Sequence, residues 1–136
     1  MEKFRKIAVL GLVAGLLFVF AGCTAPDVEK VNVEEVKVYA DPIAEKIFTG
    51  INEKNYAKFS EDFDQTMKDA VTDAKFNEII KQLGECESKG IIGADKAQGY
   101  TRALYKASSS GFSRDLTFTI VFSAEGDKKV SGFFYK

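Results

Sequence analysis

The sequence predicts an α+β domain, with N-terminal helices packed on a curved antiparallel sheet of three to four strands, behind a hydrophobic export leader. Three observations carry this. Apolar residues recur at helical spacing between Ile43 and Leu83. They then alternate with a period of two from Leu116 to Phe122, followed by turn chemistry and a second strand-like run. A charge-free run of fourteen residues, Ile7 to Phe20, follows Lys3, Arg5 and Lys6. Helical segments first and strands afterwards define the α+β class.

The leader comes first in the chain. A cationic flank, a short apolar core and the small residues Ala21 and Gly22 before Cys23 have the form of an export signal. The rival is a retained membrane span, but the run through Gly22 has sixteen residues, short of the ~20 that usually cross a bilayer. Phe20-Ala21-Gly22-Cys23 resembles the lipobox of prokaryotic lipoproteins, with Phe20 where that family usually has Leu. The resemblance implies cleavage after residue 22 and a diacylglyceryl thioether on Cys23. The protein is then held on the extracytoplasmic side of the cell membrane. Each buried CH₂ contributes about 0.8 kcal/mol, so two or more acyl chains anchor stably where one is marginal. With Cys23 acylated, only Cys86 remains, and no intramolecular disulfide can form.

Composition narrows the chemistry. The 136 residues are 46% hydrophobic and 29% charged, as in a globular protein, with a net charge of −1. That balance lacks the basic excess of a nucleic-acid binder. Histidine is absent, which removes Ser-His-Asp and Cys-His catalysis and His-containing zinc sites. No cofactor is expected.

Residues 23–33 contain Pro26, are largely polar and show no sustained period, so they read as a tether below a single domain at 34–136. Helical character is expected from about residue 34, with Asp41-Pro42 as N-cap and first position of a bent or restarted helix. Ile43, Ala44, Ile47, Phe48 and Ile51 form its apolar face. Tyr56, Phe59 and Phe63 place a second short helix, Asp64 caps a third carrying Met67, Ala70 and Val71, and Thr72-Asp73 opens a fourth. Gly84 ends that last helix by taking a left-handed conformation. Tyr100–Ala107 and Phe112–Phe122 are expected strands, with Ser108 to Gly111 as the turn between them. Ala124-Glu125-Gly126-Asp127 is the next turn, and Lys128–Tyr135 the final strand. Cys86–Ala97 is a weaker strand candidate because Gly90 and Gly93 interrupt it.

Ala40-Asp41-Pro42-Ile43, the segment from Asn55 to Lys68, Leu83-Gly84 and Val130-Ser131-Gly132 resemble a family of small exported domains. That family lies within the nuclear-transport-factor-two-like superfamily of cone-shaped α+β half-barrels. The resemblance implies a cone of helices and curled sheet, and assigns no activity.

Site candidates follow from residue types. Tyr56, Phe59, Phe63, Phe118, Phe122 and Phe134 either line a pocket in the cone or fill it as core. Glu61, Asp62 and Asp64 are an acidic group without the glycine and distal Glu of a calcium loop, and read as a capped helix end. Asp115 with Tyr105 or Tyr135 is the candidate pocket acid–base pair, for an isomerase or hydrolase. The leading expectation is a membrane-anchored, non-catalytic module for a small apolar ligand or a partner protein. Thr117, Thr119, Val121 and Phe133 mark the outer sheet face as a candidate homodimer patch.

Overall fold

The computed structural model describes residues 28–123 and 128–136. The leader, Cys23, the first part of the tether and the turn at 124–127 lie outside the described residues. Among the described residues the chain runs β1 (Val28–Lys30), α1 (Val33–Glu53), α2 (Tyr56–Phe59), α3 (Gln65–Ala70) and α4 (Asp73–Leu83). Four strands follow, β2 (Cys86–Ala97), β3 (Tyr100–Ser109), β4 (Leu116–Phe122) and β5 (Val130–Tyr135). All five strands form one antiparallel sheet in the order β1-β2-β3-β4-β5. The sheet therefore has five strands rather than three to four, because part of the expected tether pairs with β2. None of the described helices is long and apolar enough to cross a membrane.

The long helix α1 starts at Asn32, whose side chain accepts from the Glu34 amide at 2.9 Å. It runs unbroken through Pro42 to Glu53, so Asp41-Pro42 is not a helix start. A proline inside a helix leaves the carbonyl four residues earlier without its amide. Here that residue is Val38, 77% exposed, so the carbonyl lies on the solvent side. The opposite face of α1, Val36, Ala40, Ile43, Ala44, Ile47, Phe48 and Ile51, is buried at helical spacing.

The short helices close the other end of the core. Asp64 caps α3 through the Met67 amide at 2.8 Å, and Thr72 caps α4. Gly84 follows α4 at φ +65°, and a Cβ there would lie 2.1 Å from the Ser110 hydroxyl oxygen. Phe59 is 1% exposed and meets Phe63, Phe76 and Phe133 at ring-centre distances of 5.0, 4.6 and 5.6 Å.

The sheet presents alternate residues to the helices. Ala103, Tyr105 and Ala107 of β3 and Leu116, Phe118, Ile120 and Phe122 of β4 face the core. Leu104, Thr117, Thr119 and Val121 alternate with them, which puts them on the outer face. On β5 the register shifts between Val121 and Phe122, so Val130 sits opposite Phe122 but Gly132 opposite Val121. That extra residue reverses the expected alternation. Phe133 turns inward against Phe59 and Phe118, and Phe134 turns outward, 61% exposed. Phe134 therefore leaves the core aromatics, and Phe133 leaves the outer patch. The β3–β4 turn is also later than expected, since Ser108 and Ser109 still belong to β3 and Phe112 precedes β4.

Candidate functional site

Of the aromatic set, Phe59, Phe63, Phe118 and Phe122 are buried and Tyr56 is partly buried. Their rings pack on one another and on Phe48, Phe76, Phe133 and Tyr39. They fill the space between helices and sheet as core. The Tyr56 hydroxyl donates to the Val71 carbonyl, joining α2 to the end of α3.

A cleft of about 500 Å³ opens elsewhere, between the C-terminal half of α1 and the strands β2 and β3. Its apolar lining is Ala44, Phe48 and Cys86. Asp41, Glu45, Thr49, Asn52, Glu87 and Ser88 add polar groups, and among the described residues no Lys or Arg lines it. Two irregularities explain why β2 leaves α1 at this point. The β2–β3 register shifts between Ser88 and Ile91 and again between Ile91 and Gly93. Gly90 has φ +99°, and a Cβ there would meet nothing within 4 Å. The glycines that weakened β2 as a strand in sequence are its bulges in structure, and bulges bend a strand.

Two polar links fix the cleft walls. The Tyr105 hydroxyl, on the middle of β3, donates to Asp41 Oδ1 at 2.6 Å. Burial first, then the hydrogen bond to the Asp41 carboxylate, pushes the Tyr105 hydroxyl far above the usual tyrosine range. It stays protonated at any physiological pH and acts as a donor. At the C-terminal end of α1, the Asn52 side chain accepts from the Cys86 amide and donates to the Cys86 carbonyl, both at 2.8 Å. Cys86 opens β2 beyond the reach of β1, so Asn52 stands in for a neighbouring strand at an open sheet edge. We expect Asn52→Ala to lower the unfolding free energy by about 2 kcal/mol, because two backbone groups lose their partner. Urea titration of the two proteins checks this.

Asp115 lies elsewhere. It precedes β4 and pairs with Lys89 at 2.9 Å, while Tyr135 donates to Gln82 at 2.5 Å. The structure thus brings Tyr105 to a carboxylate, but that carboxylate is Asp41 of α1, a residue the sequence marked only as a helix cap. The acidic group at 61–64 is accounted for by neighbours. Lys46 pairs with Glu61 at 2.8 Å and with Asp62 at 3.3 Å. Asp64 accepts from the Met67 amide and, at 2.7 Å, from the Ser131 hydroxyl. The described residues hold no cluster of three or more metal-ligating side chains.

Cys86 is 4% exposed, and burial pushes its thiol up to about 11, with the Ser109 hydrogen bond pulling the other way. A thiol reacts as thiolate, so we expect iodoacetamide at pH 8 to modify Cys86 far more slowly in the folded protein than in urea. The same shift has a stability consequence. The folded thiol keeps its proton above the unfolded value of ~8.5, so its contribution is complete below that pH and lost as the pH rises towards about 11. Tyr105, shifted the same way, adds a further loss once unfolded tyrosine ionises near ~10. Thermal midpoints should fall from about pH 9 upward, and Tyr105→Phe should flatten the higher part of that fall.

No protein-family model, no curated protein and no solved structure matches this chain.

Proposed function

We propose that this chain is a membrane-anchored lipoprotein whose single α+β domain is a non-catalytic binding module, with its ligand in the cleft beside α1. The observation that carries the binding reading is the cleft itself, about 500 Å³ with an apolar floor and a polar rim. The export leader and Cys23 carry the location. The fold reading belongs with it: helices followed by an antiparallel meander support a cone-shaped half-barrel of the nuclear-transport-factor-two-like kind.

The lining defines the ligand class. Ala44 and Phe48 accept an apolar body, and Asp41, Glu45 and Glu87 favour a cationic or hydrogen-bond-donating head and repel an anion. Octylamine and octanoate share an apolar tail and differ in head charge. Titrated into residues 24–136 and followed by amide chemical shifts, octylamine should move Ala44, Phe48, Thr49 and Ser88, and octanoate should not. Shifts from neither ligand at these residues, or equal shifts from both, would count against the cleft.

A small pocket enzyme of isomerase or hydrolase type is the second reading, favoured by the Tyr105–Asp41 contact within the cleft. A tyrosine held protonated does not abstract a proton, and its one hydroxyl proton is already given to Asp41, which places the weight on binding.

A further inference from the structure

We propose that the outer face of the sheet rests on the lipid bilayer, with anionic headgroups and the acyl boundary as its occupant. This rests on the anchored-lipoprotein reading above. The length of chain between anchor and fold supplies the first argument. From Cys23 to Val28 there are five residue steps, which at full extension reach at most about 18 Å. The edge strand β1 is therefore confined close to the headgroup region, itself ~5–7 Å thick on each side of the hydrocarbon.

Register decides which side chains this edge brings with it. Val28 pairs with Ala97, and Ala97 with Tyr100, so all three share a face. Tyr100 shares that face with Leu104 by alternation, and Leu104 lies opposite Thr119, which lies opposite Phe134. Val28, Tyr100 and Phe134 are 42%, 47% and 61% exposed. Tyr100 and Phe134 flank a shallow groove over Val121 and Gly132, with Asp64, Thr66 and Ser131 as its polar side. These apolar side chains cross the sheet, sharing the face with Arg102 and Thr119, and their Val28–Tyr100 end lies at the anchor.

Charge supplies the second argument. On the same face Arg102 is tied to Asp95 and Lys89 to Asp115. Lys30 and Lys106 are exposed, and among the described residues no carboxylate pairs with either. Aromatic rings beside ammonium groups that no carboxylate pairs match the boundary of an anionic bilayer, where rings sit at headgroup depth and basic side chains are drawn to anionic headgroups. The ligand cleft lies on the opposite side of the sheet, beside Tyr105, and this pose directs it away from the lipid.

The test uses the lipidated protein in vesicles of phosphatidylglycerol and phosphatidylcholine. A nitroxide is placed at Thr119→Cys on the outer face or, as control, at Lys75→Cys on α4, both with Cys86→Ala. Collisions with a water-soluble nickel chelate should be several-fold rarer at 119 than at 75, and collisions with lipid-dissolved oxygen several-fold more frequent. Tyr100→Ser with Phe134→Ser should bring position 119 towards the control. Intact mass is read on the same sample. A mass without lipid overturns the anchor reading and this proposal together. A lipidated protein with 119 as water-accessible as 75 overturns the docking alone. Shielding of 119 that persists without vesicles in Cys23→Ser protein, and grows with its concentration, assigns the face to a second copy and overturns the membrane pose.

Discussion

Phe59→Ala is expected to lower the unfolding free energy by about 3–5 kcal/mol, as large an effect as a single core truncation brings. The ring is 1% exposed and joins α2 to Phe63 on the following loop, to Phe76 on α4 and to Phe133 on β5. Those neighbours come from separate elements, each fixed by its own contacts, so they cannot all collapse into the space left. Much of the loss is then cavity cost added to transfer cost. Urea or thermal unfolding measures it, with Val38→Ala as the control. Val38 is 77% exposed, and its truncation should change stability by no more than about 0.5 kcal/mol.

Gly50→Ala should destabilise by about 3 kcal/mol, against the ordinary preference for alanine in a helix. Gly50 lies in the last turn of α1, where the chain turns back into α2. An added Cβ would stand 2.5 Å from the Phe59 amide nitrogen, 2.7 Å from its Cα and 2.8 Å from its Cβ. Two of these are backbone atoms, so no rotamer change relieves the contact, and α1 and α2 must move apart. Phe59→Ala in the same chain should not rescue it, because the clash is with the main chain. A Gly50→Ala protein as stable as the parent would show that the two helices are not held this closely.

These two sites differ in how much of them was legible beforehand. Phe59 announces itself, since Tyr56, Phe59 and Phe63 repeat at helical spacing. The caps at Asp64 and Thr72 and the glycine at 84 were legible for the same reason, each being a local signal settled within one turn of chain. Gly50 carries no such signal. Its role exists only because α2 folds back onto α1.

The cleft follows the same rule. Asp41 before Pro42 has the local signature of a helix start, but its partner is Tyr105, 64 residues away. The earlier cap at Asn32 and the exposed position of Pro42 leave the helix intact, and Asp41 is freed for the sheet. Asn52 is likewise defined by Cys86, 34 residues on. Strand β1 was illegible because Val28, Glu29 and Lys30 are all exposed and show no alternation, so only the β2 edge makes them a strand. One residue of register, at Val121 and Phe122, exchanged the faces of Phe133 and Phe134.

On the function proposed above, this domain works while tethered to a membrane through Cys23. Intact mass of the protein purified from its own membranes, beside a Cys23→Ser variant, tests it most directly. The expected product is a chain beginning at residue 23 and carrying lipid, with the lipid lost in the variant. A full-length chain without lipid would contradict it.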